Sequence, residues 1–222
     1  MANPDPTYIA KLENVIKQML QPLRDIPFRL VINALSGTSV IAIDRSSPKD
    51  KELIASLSKV AETAGKAVNQ IGITRTRANE VGNDIEEFVK TALNTAGFTA
   101  SVPHTKSGKL KTTGYPDVEF KDKTGRTVYI ECKTYNNDNI ATTFRSFYLS
   151  PSDDFKVTKD GLHIGLSYQV VVTGKQGADN IYKVRHWMLI DLEKLEVDVK
   201  YEFNSDNKRL YTKANILAEG SI

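Results

Sequence analysis

The sequence contains a single cysteine, Cys132, so it can form neither an internal disulfide nor a zinc site built from several cysteines. Its three histidines, His104, His163 and His186, do not have the spacing that is typical of metal ligands. No apolar run approaches the length of a membrane span, and the N-terminus lacks a basic segment followed by an apolar stretch. We therefore expect no signal peptide, no transmembrane helix and, by default, a cytoplasmic location.

Charge of neither sign is in large excess, since the net charge is +3 at pH 7. This balance is compatible with a nucleic-acid partner but does not require one, so the positions of the lysines and arginines matter more than their number. The chain has 222 residues, of which 40% are hydrophobic and 26% charged. These values are typical of a globular protein that buries a core, and we expect one domain.

The N-terminal third is predicted to be mainly helical. One helix begins at Pro6 and another at Pro48, each with apolar residues spaced three and four apart. A third helix is expected over residues 77–96, because Gly97 is a usual residue at a helix C-terminus. Between the first two helices, residues 30–43 are rich in Val and Ile and suggest a β-hairpin.

Beyond residue 97 the pattern changes to strands. Residues 116–120 and 126–134 alternate on either side of a polar turn over residues 122–125 and predict a β-hairpin. Further strands are predicted over residues 98–102, 163–173, 182–191 and 195–203, and a short helix over residues 140–149. The sequence therefore predicts an α/β (α+β) fold in which helices flank a mixed β-sheet.

The predicted hairpin carries three charged residues that can meet. Glu131 and Lys133 point to one face of the second strand, because strand side chains alternate with a period of two, and Cys132 points to the other. Asp117 lies on the first strand, directly after Pro116, which cannot donate a ladder hydrogen bond and marks a strand start or edge. Asp117 can therefore reach the same face near a sheet end, where a site can be open.

This arrangement suits a divalent metal held against a phosphodiester. Mg²⁺ prefers oxygen ligands and is typically bound by one or two carboxylates, waters and substrate phosphate. Asp117 and Glu131 supply the carboxylates, and the backbone carbonyl of Cys132 can add another oxygen. Lys133 would orient the nucleophile or stabilise the charged transition state. The alternative is a surface hairpin with a cross-strand ion pair, but the proline, the aliphatic flanks and the short glycine turn favour the site.

The residues Pro116-Asp117 and Glu131-Cys132-Lys133 resemble the motif of the PD-(D/E)XK nuclease superfamily. Its core is a mixed sheet flanked by helices, and many members carry a further acid on the helix before the Asp strand. On the helix predicted here, at about 100° per residue, Glu86 falls at the edge of the apolar face and Glu87 on the solvent side. The resemblance thus implies Glu86 as a fourth catalytic and metal-site residue; alternatively, Glu86 merely borders the apolar stripe.

Within that superfamily the chain looks most like a type II restriction endonuclease. The resemblance covers about residues 77–191 and implies a catalytic core over residues 76–222, with a helical region over residues 1–75 that grips DNA or forms a dimer contact. It implies Mg²⁺-dependent cleavage of double-stranded DNA at a short specific sequence, with Mn²⁺ as a substitute ion. It also implies a homodimer, since the symmetry of a DNA site mirrors that of the protein. The alternatives are a structure-specific repair or recombination nuclease and a non-catalytic DNA-binding module.

Polar residues around the hairpin are candidates for DNA contacts. Lysines in the loop before Asp117 would bind phosphates, which positions a protein without reading sequence, whereas Asn and Arg commonly read adenine and guanine edges. A solvated polar loop would have a similar composition, and we assign no base. The candidates are Lys106, Lys109, Lys111, Thr112 and Thr113 before the hairpin; Asn136, Asn137, Asn139, Arg145 and Lys156 after it; and Arg75 and Arg77 before the helix of Glu86.

Overall fold

A computed structural model describes most of the chain. The described residues are 5–21, 23–136, 140–142, 147–200, 208 and 215–216, without the side chain of Asn79. Asn137, Asn139 and Arg145, for which DNA contacts are expected, lie outside the described residues. No helix in the described part is both long and apolar enough to cross a membrane.

The chain divides into two compact units, one formed by residues 27–195 and the other by residues 1–26 together with 196–222. The smaller unit contains helix α1, Pro6–Met19, whose first turn is capped by the Asp5 side chain accepting a hydrogen bond from the Thr7 N–H at 3.0 Å. The organisation of the whole chain as a single domain stays a prediction.

Three helices belong to the larger unit: α2, Phe28–Ser36; α3, Pro48–Ile71; and α4, Val81–Thr95, which follows a short 3-10 turn. The starts predicted for α1 and α3 and the region predicted for α4 are confirmed. The hairpin predicted over residues 30–43 is wrong, because this stretch contains most of α2. Its apolar residues Phe28 and Ile32 are four apart, so both are buried on one face of a helix despite the Val and Ile content.

A five-stranded mixed sheet forms the centre of the larger unit. Its strands are β2, Ile73–Arg75; β3, Val118–Lys121; β4, Thr127–Tyr135; β5, Gly161–Gln176; and β6, Asp179–Asp191. Their order is β2-β6-β5-β4-β3, and only the β4–β5 pair is parallel. The mixed sheet, its flanking helices and the helical N-terminal third confirm the predicted fold class.

The remaining predicted elements are only partly present. Two strands of two residues each, β1, Ile26–Pro27, and β7, Glu196–Val197, pair with one another. The strand predicted over residues 195–203 is therefore shorter in its described part, and the one over residues 98–102 is reduced to a bridge between Ser101 and Glu119. The described part of residues 140–149 is not helical.

Strand β4 is buried on both faces because the core lies on both sides of the sheet. Val128, Ile130 and Cys132 pack in a cluster with residues of α3 and α4. Tyr129, on the opposite face, packs in a second cluster that includes Phe28 of α2. A strand covered on both faces is a rigid support for the charged residues at its end.

A buried ion-pair network fixes the turn of the β3–β4 hairpin to helix α3. The Arg126 guanidinium lies 2.5 Å from Asp50 in the first turn of α3 and 2.7 Å from Asp122 in the hairpin turn. The two aspartate side chains are only 2% and 4% exposed, so Arg126 and not solvent compensates their negative charges. Because hairpin register depends on its turn, this network helps to align β3 with β4.

We expect Arg126→Met to destabilise the fold by about 3 kcal/mol, since it leaves two buried carboxylates without their cation. The matched control is Lys123→Met in the same turn, because Lys123 pairs with Glu52 at 2.8 Å but both side chains are more than half exposed. The control should cost less than about 1 kcal/mol. Urea denaturation of both variants checks this, and equal losses of unfolding free energy would contradict the proposed anchoring.

Candidate active site

Strand β4 places Glu131 and Lys133 side by side on one face of the sheet. The Lys133 Nζ atom lies 2.6 Å from Glu131 Oε1, and the two side chains are 28% and 5% exposed, respectively. Cys132, between them, points into the core on the opposite face. The alternation predicted from the sequence is therefore present, with a buried carboxylate beside a partly accessible ammonium group.

Asp117 is fixed against the same strand by two hydrogen bonds. Its backbone N–H donates to the Ile130 carbonyl at 3.1 Å. Its carboxylate Oδ2 accepts from the Cys132 N–H at 2.8 Å. Asp117 lies directly before β3, so these two hydrogen bonds, and not the alternation of a regular strand, fix the direction of its side chain.

The segment leading to Asp117 is anchored by a buried aromatic pair. The Tyr115 hydroxyl lies 2.6 Å from His163 Nδ1, and the two rings stack with centroids 5.9 Å apart. Burial lowers the pKa of His163 to about 3, so the neutral ring can accept this hydrogen bond from Tyr115. Tyr115 also packs on Phe28 and Phe155, which holds the chain rigid just before the carboxylate.

Burial and the charge of Asp117 raise the affinity of the Glu131 carboxyl for protons. The pKa of Glu131 is raised to about 7, first by burial and then by the negative charge of Asp117, against the opposing charge of Lys133. Burial also raises the pKa of Asp117, although the Cys132 N–H and Lys133 lower it. Burial is the first cause in both cases, so a bound cation would stabilise the ionised form of each carboxyl.

This pair fits a divalent cation that keeps several waters. The Glu131 Oε2 atom is buried and has no hydrogen-bond partner among the described residues, so its lone pairs are available to a cation. No group of three or more Asp, Glu, His or Cys side chains placed to hold a metal occurs in the described part of the chain. The donor set is therefore two carboxylates at most, to which the Cys132 carbonyl and waters can be added, a composition usual for Mg²⁺.

Helix α4 presents Glu86, and not Glu87, toward these acids. The pKa of Glu86 is raised to about 7, first by burial and then by the charge of Asp117. Glu87 is exposed and forms an ion pair with Lys90 on the same helix. The orientation of the two glutamates agrees with the helical spacing, while the role of Glu86 stays a prediction.

The structure adds Lys156 to this group, although the sequence suggests only a DNA contact for it. Lys156 is buried at 2% exposure in the segment before β5, and its charge lowers the pKa values of Glu86, Asp117 and Glu131. The local sequence indicates the burial of Lys156 only through its apolar neighbours Phe155 and Val157, which the structure shows to be buried. Five ionisable groups therefore act on one another at the end of β4.

The lysine-rich loop before Asp117 is exposed but anchored. The Ser107 N–H and hydroxyl both donate to the Asp154 carboxylate, at 2.8 and 2.7 Å, and the Lys106 N–H donates to the Phe155 carbonyl at 3.1 Å. The loop therefore lies beside the segment that carries Lys156. Its candidate DNA contacts are all exposed: Lys106, Lys109, Lys111, Thr112 and Thr113.

The other candidates for DNA contacts are placed less favourably. Arg75 lies on β2, the edge of the sheet opposite to β3, and donates two hydrogen bonds to Asp84 at 2.6 and 2.7 Å. Arg77 is exposed, and its backbone N–H donates to the Glu80 carboxylate at 3.2 Å. Asn136 is half-buried just after β4.

A family model and a curated relative both match this chain, and they name the same family. Residues 22–214 match the model of the type II restriction enzyme MjaV family. A relative from Methanocaldococcus jannaschii, the type II restriction enzyme MjaV, is 40% identical over 233 residues, which cover 98% of this chain and 99% of the relative. No solved structure matches the chain significantly.

The raised pKa of Glu86 predicts a pH-dependent effect of Glu86→Gln. A carboxyl with a raised pKa in the folded state binds a proton there more readily than in the unfolded chain, so stability falls as pH rises from about 4.5 to about 7. Glu86→Gln removes this loss and should become progressively more stable, relative to the wild type, between pH 5 and pH 8. Urea denaturation without divalent cations measures this difference in unfolding free energy at each pH. Glu87→Gln is the control, and a pH trend of equal size in both variants would refute the assignment.

Proposed function

This chain belongs to the type II restriction enzyme MjaV family, and we propose that it is a Mg²⁺-dependent endonuclease that cleaves double-stranded DNA at a short specific sequence. The observation that supports this chemistry most directly is the pair of buried carboxyls, Asp117 and Glu131, with Lys133 beside them. This combination provides a cation site next to a positively charged group, as hydrolysis of a phosphodiester requires.

Asp117 and Glu131 would hold the metal through their carboxylates, and the Cys132 carbonyl would supply a further oxygen. A bound Mg²⁺ polarises the phosphate and lowers the pKa of a coordinated water. Glu131 has a free Oε2 for this purpose, since only its Oε1 is engaged by Lys133. Asp117 is held in place by the Cys132 N–H, so binding requires little rearrangement.

Lys133 is suited to act on the nucleophile or on the phosphate. An ammonium group has three N–H donors, and in Lys133 one of these is directed to Glu131. The other donors are available to an attacking water or a phosphate oxygen, because the side chain is partly accessible. Glu86, with its raised pKa, would hold a water of the metal or accept a proton from it.

The exposed loop of Lys106, Lys109 and Lys111 would bind DNA phosphates on the approach to this site. Such contacts contribute affinity that falls with salt concentration and carry no sequence information. Recognition of a symmetric sequence would require two copies of the chain, one for each strand, and we therefore propose a homodimer.

Cleavage assays test this function directly. With Mg²⁺, the wild type should cut plasmid DNA of varied sequence at a recurring short sequence, which sequencing of the ends identifies. Asp117→Asn and Lys133→Met should lower the single-turnover rate by at least about 100-fold, because each removes a group that acts on the transition state. Binding of the mapped duplex in Ca²⁺ should be retained, and Glu87→Gln should cleave normally.

The absence of cleavage by the wild type with Mg²⁺ or Mn²⁺ would contradict the proposal. Cleavage confined to junctions or flaps would indicate a structure-specific nuclease instead. Full activity of Asp117→Asn would place the metal site elsewhere.

Metal binding can be measured without DNA. At ten times its Kd, a cation that binds only the folded state stabilises it by about 1.4 kcal/mol, which corresponds to a rise in Tm of about 3 °C or more for a chain of this size. We expect Mg²⁺ and Mn²⁺ to raise the Tm of the wild type and of Glu87→Gln, but not that of Asp117→Asn. An equal rise in all three proteins would show that the cations bind at another place.

A further inference from the structure

Lys156 is a buried cation whose terminal nitrogen is unsatisfied. The residue is 2% exposed, and its Nζ atom forms no hydrogen bond with any part of the chain that the structure describes. Burying an ammonium group without partners is costly, and a lysine in the core is rare unless it is paired. The charges of Asp117, Glu131 and Glu86 act on this ammonium group, but no described residue accepts a hydrogen bond from it, so its donors are not engaged.

The neighbours of Lys156 fix its place beside the site. Phe155 and Val157 are buried in the same cluster as Tyr115, and the rings of Phe155 and Tyr115 stack at 6.5 Å. Tyr115 lies two residues before Asp117, so this stacking brings the Lys156 segment against the turn that carries the carboxylate. The placement is set by packing between segments that are far apart in the sequence.

The two lysines of the site act on the same three acids, although to different degrees. Lys133 lowers the pKa values of Asp117 and Glu131 more strongly than Lys156 does. For Glu86 the order is reversed, with Lys156 the stronger influence. Both ammonium groups therefore act on the whole set of carboxyls, and Asp117 is the strongest charge influence on Lys156.

Lys156 is also linked to the loop that would meet the DNA backbone. The Lys106 N–H donates to the carbonyl of Phe155, the residue before Lys156. Burial lowers the pKa of Lys156 against the opposing charges of the carboxyls, and the positive charge of Lys111 also lowers it. A chain of positive groups thus runs from the exposed loop inward to a buried, unpartnered ammonium.

We propose that Lys156 is a second catalytic lysine, which donates hydrogen bonds from Nζ to a non-bridging oxygen of the scissile phosphate. This inference rests on the proposed nuclease function and names a residue that the nuclease motif does not contain. A phosphate oxygen would satisfy the buried ammonium, and the interaction would strengthen as negative charge develops on the phosphate in the transition state. The rival explanation is that Lys156 only balances the charge of Glu86.

The test compares Lys156→Met with Lys159→Met. Met has a similar length and suits the apolar neighbours, and it replaces a buried ammonium group that has no hydrogen-bond partner among the described residues, so folding should be preserved. Lys159 lies three residues away but is 54% exposed and paired with Glu119 at 2.9 Å, which makes it a matched control. The measurement is the single-turnover rate on the mapped duplex in Mg²⁺, together with the Kd for that duplex in Ca²⁺ and the Tm.

We expect Lys156→Met to lower the rate by about 100-fold or more, as loss of a single donor to a developing oxyanion does, with Kd and Tm nearly unchanged. The same substitution in Glu86→Gln protein should lower the rate by a similar factor, because independent effects multiply. Lys159→Met should cleave at the wild-type rate. Lys156→Gln provides a second variant of the same position and should behave like Lys156→Met.

Three results would overturn the inference. A rate close to that of the wild type would show that Lys156 is not needed. Loss of folding in both Lys156 variants would make it a structural residue, and no further loss in the Glu86→Gln background would mean that it acts through Glu86. If the wild type cleaves no DNA, the proposed function fails first, which is a distinguishable outcome.

Discussion

The hydrogen bond from the Cys132 N–H to the Asp117 carboxylate is the interaction on which the site depends. It joins the residue before β3 to the C-terminal half of β4 at 2.8 Å, and the Asp117 side chain supplies the acceptor for this strand N–H. The consequence is electrostatic as well as structural, because the bond holds Asp117 next to the buried Glu131. Two carboxyls so placed cannot both ionise easily without a cation, and the neighbouring lysines balance them only in part.

The rest of the larger unit can be understood as support for this contact. At one end of the hairpin, Arg126 joins the turn to α3 through Asp50 and Asp122. At the other end, Tyr115 is held by His163 just before Asp117. Anchors at both ends limit the movement of the carboxylates, and a site that is rigid in this way would lose less free energy on binding a metal and a substrate.

The sequence predicts the faces on which the charged side chains lie better than it predicts the segments around them. Alternation along β4 is a local property, so the shared face of Glu131 and Lys133 can be derived from spacing alone, and helical periodicity likewise separates Glu86 from Glu87. Residues 30–43 are misleading because Val and Ile favour strands, while the burial of Phe28 and Ile32 on one helical face decides the structure. Lys156 cannot be assigned locally, since its place depends on the packing of Phe155 on Tyr115.

The distribution of charge suggests why metal and DNA would bind interdependently. Glu86 and Glu131, each with a pKa raised to about 7, are both partly protonated near neutral pH. A divalent cation that binds their carboxylates would therefore displace protons. Once a cation binds the carboxylates, these neutralise less of the positive charge of Lys133 and Lys156. The two ammonium groups would then bind a phosphate more strongly. The reverse also holds, because thermodynamic coupling is reciprocal: a phosphate that engages the lysines leaves the carboxylates freer to bind the cation. Under the proposed function, a site in which carboxylates and ammonium groups neutralise one another would therefore bind cation and phosphate together more readily than either one alone.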